Sequence, residues 1–310
     1  MMEIILSGGR AAIELALFIL LPVMVFMLCL MRLLEAKGVL DWLVSGLAPV
    51  LRPFGLTGLS TFAALQISFV SFAAPIATLT MMEQRGASNR HLAATLAMVF
   101  AMSQANTSLP LAALGLQLAP TFLFSLLGGL VAAATVYYGV GRYLSSDEHL
   151  TDDSLHHASA EGTKGILDTI NRAGAEAFKI TMGAVPLLVL SLVLVTALRK
   201  FGLVDALTQG LTPVLNMLGI DPALILPTVV KYLAGGTALL GTLDELLRQN
   251  QFTTTLLNHS AGFLINPLDL PGVAILVSAG RRVAQVWKPA ALGAVVGILV
   301  NGFSRLLFFS

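Results

Sequence analysis

The sequence predicts an all-α, polytopic membrane protein made of two inverted repeats. Its composition is 56% hydrophobic and only 11% charged, whereas soluble domains carry about 25% charged residues. Several uncharged stretches are long enough to cross a bilayer, which requires about 20 apolar residues. A short sequence also recurs with a constant spacing on either side of a polar segment. Together these features predict two copies of one membrane-embedded unit.

The long apolar stretches are the predicted membrane-spanning helices. Residues 11–31 contain one charge, Glu14, and exceed the 7–15 residues of a signal-peptide core, so we expect this span to be retained. Residues 92–141 contain no Asp, Glu, Lys or Arg. They are predicted to form two spans with a turn near residues 117–120. Further spans are predicted at residues 181–198 and 289–303.

Three further apolar segments are interrupted by helix-breaking residues. The interruptions are Ala73-Ala74-Pro75, Gly235-Gly236 and Asn266-Pro267. A break at membrane depth frees backbone groups that hydrocarbon cannot hydrogen-bond, so it must face protein or a wet cavity. The first two breaks predict re-entrant hairpins, and the third predicts a broken span.

The repeat is visible as a local sequence match. Residues 38–56 read GVLDWLVSGLAPVLRPFGL and residues 202–220 read GLVDALTQGLTPVLNMLGI, an offset of 164. Three glycines, an aspartate and a proline are identical in register. Further along, Leu109-Pro110 is aligned with Leu270-Pro271, with a small drift. We therefore predict repeat 1 at residues 1–144, a polar linker at 145–165 and repeat 2 at 166–310.

Each repeat is predicted to contain three transmembrane helices, an interfacial helix and a re-entrant hairpin. Three crossings per repeat is an odd number, so the second repeat must be inverted, as is common in secondary transporters. Most Lys and Arg residues of the short loops fall on the side of the linker. The positive-inside rule therefore places the linker in the cytoplasm and both termini in the periplasm. We expect the protein to lie in the cell inner membrane.

Several functions receive no support from the sequence. The net charge of +1 gives no reason to expect a nucleic-acid partner. The one cysteine, Cys29, and His259 have no spaced partners that would form a metal site. The chain lacks the phosphate-loop, zinc-protease and serine-hydrolase motifs, so no enzyme activity or resident cofactor is predicted. If the protein is an ion-coupled transporter, the candidate coupling ion is H⁺ or Na⁺.

Polar side chains gather at the three interruptions and at a fourth predicted break, the polar run of residues 103–108 before Pro110. A polar solute or cation that loses its hydration shell needs amides, hydroxyls and free backbone groups of this kind. Hydroxyls in membrane helices also bond to their own backbone or join neighbouring helices, and this alternative stays open. The predicted substrate-binding residues are Gln66, Ser71, Ser103, Gln104, Asn106, Thr107, Ser108, Lys231, Thr237, Asn266 and Asp269.

Two charged residues fall inside these segments. Lys231 could hold an anionic group, pair with Asp269 or extend its amine to the membrane surface. Asp269 is the stronger candidate, because a short carboxylate cannot reach far. We expect Asp269→Asn to preserve the fold and either to abolish ion-coupled uptake or to shift its pH dependence. Asp244 and Arg248 are predicted to form an exposed pair four residues apart.

The two repeats resemble the nucleoside-recognition or Gate domain. The resemblance rests on GVLDWLVSGLAPVL and GLVDALTQGLTPVL, each followed by a broken small-residue segment, SFAAPIA or LAGGTALL. The first half is similar to spore maturation protein A and the second to spore maturation protein B. More distantly, both resemble concentrative nucleoside transporters and the Gate regions of ferrous iron transporter B. The resemblance implies a nucleoside-transporter-like fold with facing hairpins.

The sequence thus favours a permease for a small polar solute, with nucleoside-like compounds among the candidates. Its partners would be the lipid bilayer and the solute, and a homo-oligomer is a candidate assembly. Two alternatives stay open: a non-transporting Gate scaffold or accessory subunit, and an ion or metal channel.

The orientation can be tested with a cysteine in the linker. We expect Ser154→Cys to be protected from a membrane-impermeant thiol reagent in intact cells, because the linker is predicted to be cytoplasmic. Labelling is measured before and after permeabilisation. Labelling from outside the intact cell would reverse the orientation.

Overall fold

A computed structural model describes residues 2–147, 165–217 and 219–309 of the chain. These residues form α-helices joined by short connections, with no β-strand among them. Most of the predicted linker, residues 148–164, lies outside the described ranges.

The first half contains one long helix interrupted by a π-helical turn, then a short helix, two pairs of short helices and a second long helix. Their bounds are α1 (Met2–Leu15), α2 (Leu21–Ala36), α3 (Val39–Leu51), α4 (Gly58–Phe69), α5 (Pro75–Gln84), α6 (Asn89–Ala101), α7 (Ala105–Ala112) and α8 (Leu118–Ala134).

The second half contains the same succession with one extra short helix before the last. The bounds are α9 (Ile166–Lys200), α10 (Leu203–Met217), α11 (Ile225–Ala234), α12 (Gly236–Arg248), α13 (Thr254–Leu264), α14 (Leu270–Val277), α15 (Arg281–Gln285) and α16 (Trp287–Phe309). The predicted all-α fold is therefore confirmed.

Four helices within the described residues are long and apolar enough to cross a membrane. They are Met2–Leu34, Leu118–Val140, Ile166–Leu198 and Trp287–Phe309. The last is longer than the predicted span of residues 289–303. Large apolar side chains such as Phe18, Phe26, Leu190 and Phe303 are exposed on these helices, as lipid-facing side chains are. The chain is a multi-pass membrane protein.

Glycines at matching positions explain part of the sequence repeat. Gly38 and Gly202 precede α3 and α10 with φ of 69° and 70°. Gly55 and Gly219 follow these helices with φ of 76° and 68°. Side chains other than glycine rarely adopt this left-handed conformation. The identical glycines thus reflect the same turn made twice.

The predicted interruptions are confirmed, but one predicted alignment is wrong. Helices α4 and α5 are separated at residues 70–74, and α11 and α12 at Gly235. Corresponding helices of the two halves keep the offset of 164 residues further along the chain, since α5 ends at Gln84 and α12 ends at Arg248. Pro110 lies inside α7, whereas Pro271 lies in the first turn of α14. Leu109-Pro110 and Leu270-Pro271 are therefore not structurally equivalent, because the same dipeptide stands at a different position along each helix.

The two halves interlock in the interior. One apolar cluster joins α4–α6 and α8 of the first half to α14–α16 of the second. Another joins α1 and α2 to α9 and α11–α13. Each cluster draws on both halves, so neither half buries its apolar surface alone. This arrangement brings the interrupted segments of both halves together in the centre.

Small residues let α16 approach α8 closely. A Cβ atom on Gly128 would lie 2.6 Å from the carbonyl oxygen of Gly297, and a Cβ on Gly297 would overlap the carbonyl of Gly128. Close backbone approach through glycine is typical of membrane helix pairs, where packing replaces the hydrophobic effect.

We expect Gly297→Ala to destabilise the protein by about 1–3 kcal/mol, because the added methyl group overpacks the α8–α16 contact. The midpoint of thermal unfolding of purified protein measures this. Gly183→Ala in α9 is the matched control, since nothing lies within 4 Å of its Cβ position. Equal stability of the two variants would contradict the close-packing argument.

Candidate functional site

The four helix interruptions meet inside the protein. Across the two halves, Nε2 of Gln104 donates a hydrogen bond to the backbone carbonyl of Asn266 at 3.3 Å. Within the first half, the backbone N–H of Phe72 donates to Oδ1 of Asn106 at 3.2 Å. The α6–α7 break is thus bonded both to the tip of the first hairpin and to the α13–α14 break.

The tip of the second hairpin lies against the start of α7. A Cβ on Gly236 would overlap the side-chain amide of Gln104 and lie 2.6 Å from Oγ1 of Thr107. The neighbouring Gly235 has φ of 88°, a conformation that glycine allows. A Cβ on Gly235 would lie 3.6 Å from Oδ1 of Asp269. The glycine pair therefore lets the hairpin backbone contact both broken helices.

Lys231 and Asp269 form a buried ion pair at this hairpin. Their Nζ and Oδ2 atoms are 2.5 Å apart, with 0% and 3% of the side chains exposed. The other oxygen, Oδ1, accepts the backbone N–H of Gly272 at 2.7 Å and caps α14. Of the three alternatives for Lys231, extension to the membrane surface is wrong. The pair joins α11 to the first turn of α14.

The structure corrects the expectation that Asp269→Asn is harmless to the fold. A neutral amide at this position would leave the buried Lys231 amine without its counter-ion. Removing one partner of a buried pair costs far more than the pair itself contributes.

The other predicted residues fall into two groups. Gln66 and Ser108 bond within their own hairpin or helix. Oε1 of Gln66 accepts a hydrogen bond from the Thr78 hydroxyl at 2.7 Å, and the Ser108 hydroxyl donates to the carbonyl of Gln104 at 3.0 Å. For Ser108 the alternative of bonding to its own helix is confirmed. The others are buried at the breaks; they are Ser71, Ser103 and Thr237.

Two acidic groups outside the centre form local pairs. Glu14 lies 3.6 Å from Arg10, and both side chains are largely exposed. Asp244 and Arg248 pair at 3.0 Å with four-residue spacing, as predicted. Both pairs lie near a separate cleft between α1, α9 and α12.

A buried arginine was missed by the sequence reasoning. Arg305 follows an apolar stretch near the end of the sequence, but in the structure it lies inside α16 and is only 1% exposed. Its Nε atom donates to the carbonyl of Asn258 at 2.8 Å, and Nη1 donates to Thr121 at 2.9 Å. These bonds hold α16 to α13 and α8. The sequence gives no sign that Arg305 is buried, because an arginine in the loop after a membrane span also follows an apolar stretch.

The architecture defines the class: a multi-pass helical membrane protein whose two hairpins and two broken helices bring polar groups to a shared centre. The Gate family, described as nucleoside recognition, matches residues 17–120, about a third of the chain. The match runs from the first long helix to the start of α8. No sequence among the curated proteins matches the chain.

The fold is similar to solved structures of CNTnw, a concentrative nucleoside transporter. A variant of CNTnw in an outward-facing state aligns with a TM-score of 0.71 at 16% identity, covering 99% of this chain and 83% of that one. CNTnw in an inward-facing substrate-bound state aligns with a TM-score of 0.70 at 18% identity, covering 93% and 73%. The likeness shows a common fold. The similarity of the halves to spore maturation proteins A and B stays a prediction.

We expect Asp269→Asn to lower the free energy of unfolding by about 3–5 kcal/mol, because it leaves a buried ammonium unpaired. The double variant Lys231→Met/Asp269→Asn should be more stable than Asp269→Asn alone. Chemical or thermal unfolding of the purified variants measures both.

The control is Arg248→Met, which breaks a pair whose arginine side chain is 69% exposed. Its effect should stay below about 1 kcal/mol. Equal loss of stability in Asp269→Asn and the double variant would mean that the unpaired Lys231 amine carries no cost, and would contradict this explanation.

Proposed function

We propose that this protein is a membrane permease for a small polar solute, bound where the two hairpins and two broken helices meet. The observation that carries the proposal is the contact between Gln104 and the carbonyl of Asn266. It joins two unwound segments from opposite halves of the chain. Broken helices that meet at the middle of a membrane protein form the substrate sites of secondary transporters.

The order of the helices supports an alternating-access mechanism. A long helix, a short amphipathic helix, a hairpin, a broken helix and another long helix occur in both halves. We propose that residues 1–144 and 166–310 are Gate-like repeats joined by the 145–165 linker. With three crossings each, they would be inverted relative to one another, so rocking of one repeat could expose the centre to either side.

The proposed site consists of residues on the faces of these breaks. Gln104, Asn106 and Thr107 come from the first half, and Thr237, Asn266 and Asp269 from the second. The buried state of all six and the hydrogen bonds between the breaks support this set. Gln66 and Ser108 would act indirectly, since their side chains bond within their own hairpin or helix.

The candidate solutes are small polar compounds, because the side chains that line the site are polar. Nucleoside-like compounds are candidates because the Gate match is described as nucleoside recognition and the similar structures are nucleoside transporters. The coupling ion would be H⁺ or Na⁺. A role for Asp269 in coupling would require its pair with Lys231 to open, because both groups are already neutralised. The proposed location is the cell inner membrane, with the linker in the cytoplasm.

A ligand screen of purified protein tests the transport proposal. Nucleosides, nucleobases, amino acids and divalent cations are compared for their effect on the unfolding temperature, since a ligand that binds the native state raises it. Hits are then tested for uptake into proteoliposomes. Silence across the panel would favour the scaffold or accessory subunit, and a response to divalent cations alone would favour the channel.

We expect Gln104→Ala to reduce uptake of a hit by up to about tenfold, because it removes an amide donor at the meeting point of the breaks, and a hydrogen bond to a buried partner contributes up to about this factor. Gln251→Ala is the matched control, since Gln251 lies exposed in the loop after α12. Initial uptake rates normalised to reconstituted protein measure both. Equal rates in the two variants would remove Gln104 from the site.

A further inference from the structure

Two helices begin against each other at the proposed site. Helix α7 starts after Gln104 and α12 starts after Gly235, and neither of these residues caps its helix with a side chain. The first backbone N–H groups of a helix have no partner within the helix. They also form the positive end of the helix dipole. The meeting of α7 and α12 therefore brings free donors and partial positive charge together.

A buried hydroxyl points to the same place. Oγ1 of Thr107 has no hydrogen-bond partner among the described residues, and Thr107 is 0% exposed. It lies beside Gly236, the first residue of α12. An unsatisfied buried polar group costs free energy. Nearby hydroxyls avoid this cost by bonding to their own helix, as Thr242 does to the carbonyl of Ala238 at 3.1 Å.

The neighbouring charges leave these donors uncompensated. The start of α14 is different, because the Asp269 carboxylate caps it. Lys231 balances that carboxylate in turn. The ion pair is thus neutral as a unit, and no side-chain carboxylate caps α7 or α12. Oδ1 of Asp269 would lie 3.6 Å from a Cβ on Gly235, but this carboxylate is already bound by Lys231 and the start of α14. What α7 and α12 lack is a negatively charged acceptor of their own.

We propose that the transported solute carries an anionic oxygen group, a carboxylate or a phosphate, that binds between the starts of α7 and α12. Its ligands would be Nε2 of Gln104, Oγ1 of Thr107 and the first backbone N–H groups of α12. This inference rests on the proposed transport function and narrows its substrate class. Anions bind at helix starts for this reason in many proteins, and half-helices in transporters are used in the same way.

Entry of the anion requires the second hairpin to move. Gly236 packs directly on Gln104 and Thr107, so the tip must separate from α7 to admit an oxygen group. The glycine pair at the tip has no side chain to obstruct the movement. The bond from Gln104 to the carbonyl of Asn266 is long at 3.3 Å, and its amide can turn towards the anion.

Matched pairs of solutes test the inference on the full-length purified protein. Adenosine is compared with adenosine monophosphate, glycerol with glycerol 3-phosphate, and N-acetylalaninamide with N-acetylalanine, at constant ionic strength. Binding is measured by calorimetry and by the rise in unfolding temperature. We expect the anionic member of at least one pair to bind about tenfold or more tightly than its neutral partner, because hydrogen bonds to a charged group are the stronger ones. The pair that responds tells phosphate from carboxylate.

Thr107→Val locates the site. Valine has nearly the same shape and removes a hydroxyl that has no protein partner, so we expect the variant to be at least as stable as the natural protein. It should bind the anionic solute about tenfold more weakly. Thr242→Val is the control, since it removes a buried hydroxyl of α12 that is already hydrogen-bonded. It should leave anion binding unchanged.

The outcomes separate this inference from the transport proposal. Binding and uptake of neutral solutes only would overturn the anionic class and leave the permease standing. Anion binding that is the same in Thr107→Val and the natural protein would overturn the site. Failure of every solute in the pairs and in the wider screen would contradict both proposals.

Discussion

The centre of this protein depends on one constraint: backbone groups released by a broken helix inside a membrane must find partners within the protein. Helices α6 and α7 are separated, as are α13 and α14, and two hairpins turn at residues 70–74 and at Gly235. Each of these points leaves free donors and acceptors. Some of them are satisfied by side chains such as Asp269, which accepts the backbone N–H of Gly272, and others where the breaks meet one another. The contacts of Gln104 with Asn266 and of Phe72 with Asn106 are the result.

Interlocking of the two halves makes that meeting possible. Each apolar cluster contains helices from both ends of the chain, so the long helices hold the four short pairs in a fixed relation. Close backbone contacts, such as that between α8 and α16 at Gly128 and Gly297, provide the rigidity. At the second hairpin tip Gly235 and Gly236 have no side chains, so the backbone of the hairpin lies directly against α7.

Buried charge is placed according to the same logic. Asp269 satisfies the start of α14 and is balanced by Lys231, whereas Arg305 is held by the carbonyl of Asn258 and the hydroxyl of Thr121. Both arrangements tie different helices together. Desolvated charges are tolerated only with such bonds. The starts of α7 and α12 have no equivalent neutralising group, and this difference distinguishes them from the rest of the interior.

The sequence by itself determined the membrane class, the positions of the breaks and the recurrence of the unit. These follow from local properties: uncharged length, helix-breaking residues, and glycines such as Gly38 and Gly202 that a left-handed turn requires. It also indicated Gln104, Asn266 and the possible pairing of Lys231 with Asp269. Only the tertiary structure decided which of these residues touch. Residues that touch, such as Gln104 and Asn266, are far apart along the chain. A local sequence pattern therefore does not show that they are in contact. The orphaned hydroxyl of Thr107 and the burial of Arg305 became visible only in the packed protein, because satisfaction of a polar group depends on its neighbours in space.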